Sequence, residues 1–202
     1  MIKIILVGAG GHAKSCIDVI ETIKNFKIVG LIDNNLNKKK ILNYPIIGSD
    51  KNLKQFKKKY KYAHISIGQI KSPKVRKNMY DNLISLGYRL PFIKSKYAYV
   101  SKNSSIGMGT IVMHGVIINT NVKIGKNCIM NSKSLIEHDV KIGNHCHIST
   151  GAIINGGVKI GDGTFIGSGS IIKEGIKIGN NCLIGAGCTI KKNISSKKQI
   201  IF

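Results

Sequence analysis

Read in steps of six from Val100, the second half of the chain carries an aliphatic residue at every stop: Val100, Ile106, Val112, Ile118, Ile124, Met130, and onward without a break to Ile190. Four residues after each stop comes a small or β-branched side chain, in a series that opens with Ser104, Thr110 and Val116 and closes at Ile194. Six residues turn an α-helix by about 600°, which would scatter these aliphatics around its circumference, so a helix is excluded. A β-solenoid remains. Three hexads close one triangular coil, and the inward aliphatic and small residues stack on those of the next coil. The sixteen hexads predict a little over five coils, a prism about 25 Å long at the usual strand spacing. Glycine often follows the aliphatic stop, as at Gly107, Gly125, Gly143, Gly161, Gly167, Gly179 and Gly185. These glycines are expected at tight corners, where a side chain would clash or φ is positive.

The first half has a different texture. Lys3 to Val7 is an apolar run suited to a buried parallel strand. It leads through Gly8-Ala9-Gly10-Gly11-His12-Ala13 into a helical pattern carried by Ile17, Ile20 and Ile23. Lys27 to Ile32 makes a second strand ending at Asp33, and Tyr62 to Ile67 a third, leading to Gly68 and Gln69. The glycine turn fits G-x-G-x-x-A, with an acid about twenty residues on, which taken alone reads as a dinucleotide site. A stretch of about 95 residues has no room for a second mononucleotide half, so a smaller nucleotide-bearing ligand is expected, its phosphates against the turn. Ser72-Pro73 starts a helix whose Lys74 and Arg76 either reach phosphates or are solvated. The change of texture divides the chain into a Rossmann-like α/β domain, residues 1–95, and a parallel β-helix, residues 96–202.

Charge and cysteine count change this picture little. The net charge of +23, from 32 Lys and Arg against 9 Asp and Glu, would ordinarily raise nucleic acid as a partner. The lysines are scattered, densest at Lys38 to Lys40 and Lys57 to Lys59, and no nucleic-acid-binding motif accompanies them, so no nucleic-acid partner is expected. No apolar run is long enough to insert in a membrane, and the apolar part of the first ten residues is short for a secretory signal; a cytoplasmic protein is expected. Cys128, Cys146, Cys182 and Cys188 fall on the small inward position of the hexad and read as packing residues rather than metal ligands.

The hexads resemble those of the hexapeptide-repeat acyltransferases, which implies a left-handed β-helix, a homotrimer, and acetyl-CoA bound between neighbouring prisms. The Gly-Ala-Gly-Gly-His turn, the strand end at Gly68 and the hexad Ile136-Glu137-His138-Asp139 resemble, up to about Asn193, one bacterial family. It contains sialic acid O-acetyltransferases and N-acetyltransferases of UDP-linked 4-amino-6-deoxy sugars such as bacillosamine. The family's Gly-x-Pro-Ala-Lys-like tail, which covers the CoA nucleotide, has no counterpart before Phe202. By matching positions, the resemblance implies sugar-nucleotide contacts at Gly8, Gly10, His12, Asp33, Asn34 and Gly68.

Acetyl transfer needs a base for the attacking group and donors for the developing oxyanion. His138 is flanked by acids, and the resemblance makes it the general base, oriented by Asp139. His147 is implied to border both acetyl-CoA and acceptor, and Gly156 and Gly157 to present N–H groups to the cosubstrate; His145 reads as structural. The expected reaction is N-acetylation of a nucleotide-linked 4-amino-4,6-dideoxy sugar, with O-acetylation of sialic acid or a related nonulosonate as the alternative. Trimeric hexapeptide helices also include zinc carbonic anhydrases, whose ligands include two histidines five apart. The intervals among His114, His138, His145 and His147 are 24, 7 and 2, so no metal is expected. A non-catalytic sugar-binding trimer and an NAD-dependent oxidoreductase complete the alternatives.

Overall fold

A computed structural model describes residues 1–37 and 39–201; Lys38, at the head of one lysine run, and the terminal Phe202 lie outside them. Strands β1 (Ile2–Val7), β2 (Phe26–Ile32), β3 (Lys40–Ile41), β4 (Tyr44–Gly48) and β5 (Tyr62–Ile65) form one sheet in the order β3-β4-β2-β1-β5. All its neighbours run parallel except β3 and β4, which form a hairpin edge. Helix α1 (Gly11–Glu21) crosses from β1 to β2, the short α2 (Leu53–Lys57) precedes β5, and α3 (Lys74–Ser85) follows it. Pro73 caps α3 rather than opening its first turn. Because strand side chains alternate, Ile4 and Leu6 face α1 while Ile5 and Val7 join Ile65, Tyr80 and Leu83 on the other side.

From β6 (Ile93–Lys94) onward the chain is a left-handed parallel β-helix of two-residue strands, in three ladders of six, five and seven strands. The helix thus starts one strand before the first aliphatic stop at Val100. The 18-residue pitch shows in the register, for example Ile117↔Leu135↔Ile153↔Ile171. Its last coil is two residues short, since Ile178 bridges Ile194 and Leu183 pairs with Gln199. The aliphatic stops from Val112 to Ile190 are buried, and so are the four inward cysteines. Cys128 Sγ and Cys146 Sγ each point a thiol at the carbonyl of the next coil's glycine, Gly143 and Gly161, at 3.1 Å.

The corners separate two demands that the sequence reading had merged. Glycine straight after the aliphatic stop does not have positive φ; a Cβ on Gly107 would lie 2.6 Å from the carbonyl carbon of Gly125 in the next coil, so close coil-to-coil approach explains it. Positive φ falls two residues later, at every sixth position from Gly109 to Gly187, and there Asn, Asp, His and Lys also occur.

Each ladder has its own outer surface. One ladder shows Tyr99, Ile117, Leu135, Ile153 and Ile171 in register, an apolar stripe with Ile117 and Ile171 exposed. The next stacks Lys123, Lys141, Lys159 and Lys177. The third, from β6 to Gln199–Ile200, is covered by the N-terminal part: α1 residues Ala13, Cys16, Ile17 and Ile20 share one core with Ile111, Val112 and Ile129. Among the described residues, no helix is long and apolar enough to cross a membrane.

Candidate active site

His138 and Asp139 lie on the corner between the apolar and the lysine ladders, just after the strand Leu135–Ile136. Asp139 takes the left-handed corner conformation, φ 62°, and this turns its carboxylate back toward its neighbour. His138 Nδ1 donates to Asp139 Oδ2 at 2.8 Å, and Asn121 of the preceding coil donates to Oδ1 at 2.5 Å. The hydrogen bonds from His138 and Asn121 hold the Asp139 carboxyl below the usual carboxylate range, so it is anionic at neutral pH. With Nδ1 committed, Nε2 carries the lone pair. Both side chains are open in the single chain, 61% and 53% exposed.

One coil on, Gly156 lies against the imidazole: a Cβ there would fall 2.8 Å from both His138 Cε1 and Nε2. Glu137, His138, Asp139, Asn155, Gly156 and Gly157 share an open cleft of about 610 Å³. The two glycines differ. Gly157, at φ 68°, donates its N–H to His138 O at 2.9 Å, so that donor is already used, and Gly156 supplies the remaining backbone N–H beside the ring.

A second cleft, of about 570 Å³, opens at the glycine turn and brings together Gly8, Gly10, His12, Asp33 and Gly68 with Ser66 and Gln69. Gly8 has φ 105°, which only glycine adopts without strain, and Ile67 packs directly over it. Gly10 caps α1, and a Cβ on it would meet nothing within 4 Å, so the cleft reaches the turn. Asp33 was expected to face a ribose. Its carboxylate accepts from Ala9 N–H at 2.6 Å and Asn35 N–H at 2.8 Å, bracing the turn while still lining the cleft. Asn34 is not brought into this wall; its side chain bonds Asp50.

His147 lies outside the open space of both clefts. Only 6% exposed, it sits under the strap that walls the glycine-turn cleft, with Nδ1 bonded to Gln69 O at 2.5 Å and Nε2 near Asn131 at 3.2 Å. Burial drives its pKa down to about 4, and burial aided by the Arg76 charge drives His12 to about 3, so both rings are neutral at pH 7. Gln69 also donates to His145 O at 2.9 Å. His145 bonds Asn127 and meets Tyr80 edge-on, a structural contact as expected. His114 bridges Ser95 and Asp18 of α1 at 2.6 and 2.9 Å.

Arg76, read as solvated or phosphate-facing, is neither. It is buried, gives Nη1 to Ile65 O at 2.6 Å and Ile67 O at 2.8 Å, and gives Nε to Asn127 O at 3.3 Å. A signal for this was present, because Arg76, Tyr80 and Leu83 follow the spacing of a buried helical stripe. Among the described residues, no group of three or more His, Cys, Asp or Glu is placed to hold a metal ion.

Comparison with known proteins agrees with this anatomy. Residues 3–83 match the PglD N-terminal domain, and residues 157–192 match the bacterial transferase hexapeptide (six repeats). A search of curated protein sequences finds no match. Among solved structures, PerB from Caulobacter crescentus in complex with CoA and GDP-perosamine is 26% identical, with a TM-score of 0.93 over 99% of this chain and 94% of that one. The acetyltransferase domain of PglB from Neisseria gonorrhoeae, in complex with acetyl coenzyme A, is 25% identical, with a TM-score of 0.92 over 99% and 96%. WeeI from Acinetobacter baumannii shares the fold at 24% identity and a TM-score of 0.88. The chain therefore joins a segment similar to the PglD N-terminal domain to a segment similar to the bacterial transferase hexapeptide repeats.

Proposed function

We propose that the chain transfers the acetyl group of acetyl-CoA to the amine of a nucleotide-linked amino sugar, a 4-amino-4,6-dideoxy sugar in the first instance. The observation that carries this is the His138–Asp139 pair, whose free Nε2 faces an open cleft against Gly156. The complex of the Caulobacter relative with CoA and GDP-perosamine supports an amino-sugar nucleotide as acceptor.

The chemistry follows from the pair. The acceptor amine attacks the thioester carbonyl and loses its proton to His138 Nε2, while Asp139 stabilises the imidazolium through Nδ1–H. The tetrahedral oxyanion takes a hydrogen bond from a backbone N–H, for which Gly156 is the candidate. Collapse breaks the C–S bond, and the thiolate of CoA recovers the proton from the imidazolium. The sugar nucleotide lies in the glycine-turn cleft formed by Gly8, Gly10, His12, Asp33 and Gly68, and His147 acts from beneath through Gln69.

The two clefts lie on different sides of one prism, and the catalytic pair is exposed. A homotrimer joins them: the apolar ladder of Tyr99, Ile117, Leu135, Ile153 and Ile171 packs against a second copy and brings His138 to a neighbour's sugar cleft. Dependence on acetyl-CoA fits a cytoplasmic enzyme. The test is thiol release from acetyl-CoA with UDP-, GDP- and dTDP-linked amino sugars beside free sialic acids. Turnover with an amino-sugar nucleotide, reduced about 10²-fold or more in His138→Ala, is expected. Turnover with sialic acid alone would move the reaction to a hydroxyl, and no turnover with any acceptor would refute the assignment.

A further inference from the structure

Next to the glycine-turn cleft, sharing Ile70 with it, lies a concave site of about 440 Å³ that the acetyl-transfer reading does not use. Lys71 lines it from the loop before α3, Lys74 and Lys77 from the first turn of α3, and Lys197 arrives from the last coil in a left-handed turn, φ 63°. Pro73 rests on Gly163, so closely that a Cβ on that glycine would lie 3.0 Å from Pro73 Cγ, and this contact fixes the two walls together. Among the described residues, no acidic side chain lines the site and none of the four lysines makes an ion pair. Other lysines do find company: Lys173 pairs with Glu174, and Lys57, Lys59 and Lys96 lie over tyrosine rings.

Four lysines lining one concavity with no acid among its lining residues give it a positive potential. Such an arrangement is relieved by a compact multivalent anion, and the phosphates of a nucleotide fit that description. We propose that this pocket binds phosphate groups of a nucleotide-bearing ligand. The source is either the phosphorylated ADP end of CoA or the diphosphate of the sugar nucleotide. Assigning the anion to either substrate rests on the acetyl-transfer reading; the pocket's affinity for phosphate does not.

The experiment is calorimetric titration of the full chain with inorganic pyrophosphate, CoA, dephospho-CoA, UDP and GDP. It compares wild type with Lys71→Gln/Lys74→Gln/Lys77→Gln and, separately, with Lys197→Glu. The side chains are exposed, so both variants should melt within about 2 °C of wild type. Pyrophosphate affinity should fall at least about tenfold in each, and wild-type affinity should fall steeply with salt. A loss for CoA that dephospho-CoA does not share assigns the pocket to the 3′-phosphate. An equal loss for both assigns it to the pyrophosphate of CoA, and a loss confined to UDP or GDP assigns it to the sugar nucleotide. Unchanged affinities for every probe, or no binding of any probe to wild type, overturn the proposal. Lysine-dependent pyrophosphate binding without acetyl transfer to any sugar would leave the pocket standing and sink the enzymatic reading alone.

Discussion

Replacing Gly156 with alanine tests the reaction geometry with one carbon atom. Its backbone is not in the left-handed region, so alanine is conformationally acceptable there, yet the new Cβ falls 2.8 Å from His138 Cε1 and Nε2. Non-bonded carbon needs about 3.5 Å, so the ring must retreat by roughly 0.7 Å. The ring can do so because the side chain is 61% exposed, and the fold is expected to lose less than about 1 kcal/mol. Retreat moves Nε2 away from the acceptor and strains the bond to Asp139. A displacement of this size at a catalytic base lowers kcat/KM by about 10²-fold. Gly107→Ala is the contrasting control: its Cβ meets backbone of the next coil at 2.6 Å, which cannot swing aside, so it should cost about 1–3 kcal/mol of stability instead. Thiol release gives the rates and thermal melting the stabilities. In Gly156→Ala combined with His138→Ala, little should be lost beyond His138→Ala alone, because both changes remove the same proton transfer. A Gly156→Ala protein with kcat/KM within about twofold of wild type would refute His138 as a base working against this wall.

Gly10→Val should raise KM for the acceptor about tenfold or more and leave CoA affinity unchanged, since a side chain there enters the glycine-turn cleft; calorimetry with each ligand checks it. Acid should destabilise the fold early. Burial holds His147 at about 4 against 6.5 when unfolded, so the unfolded chain binds more protons between those values and stability falls as pH drops below about 6.5, by roughly 3 kcal/mol for this ring alone. His12, held at about 3, and the buried His64 act in the same direction, and a melting temperature constant from pH 7 to 5 would contradict the account. Arg76→Met should cost about 2–5 kcal/mol by stripping the donors from Ile65, Ile67 and Asn127, and should raise KM for the acceptor as the strap over the glycine-turn cleft loosens; chemical denaturation and steady-state kinetics read the two effects.

The β-helix was legible because its symmetry puts every sixth residue in the same surroundings. Val112 and Ile184 meet the same kind of neighbours four coils apart, and selection for buried aliphatics repeats in the chain as a plain period. The glycine turn was legible for a local reason, since one strand, one turn and one helix define it within a few residues. The junction was not. Gln69 reaches His147 across 78 positions and Arg76 reaches Asn127 across 51, and no periodicity joins partners that distant. The same blindness explains Asp33 and Asn34: both sit at a strand end where an acid or amide can face a ligand, but Ala9 N–H and Asp50 take them up. It explains Gly157 as well, whose N–H could be known as occupied only once the carbonyl of His138 was found one coil below.

The corner residues carry the strongest link between the repeat and its chemistry. A left-handed corner favours glycine, with Asn, Asp and His the tolerated substitutes, so each departure marks a corner with a second task. Between positions 109 and 187 the non-glycine corners are Asn121, Asn127, Lys133, Asp139, His145 and Asn181. Asn121 holds Asp139, and Asp139 holds the imidazole of His138. Asn127 and His145 bond each other beneath Arg76 and Gln69, fastening the N-terminal domain to the prism. Asn181 walls the lysine pocket, and Lys133 lays its stem over Gly115. Inward positions are constrained by packing and cannot vary without opening or overfilling the core. Corners are constrained only in φ, so chemistry enters the solenoid at or beside them, at 18-residue spacing, and the pairs it needs are formed between coils: Asn121 with Asp139 and Asn127 with His145 at the corners, and His138 with Gly156 one residue before.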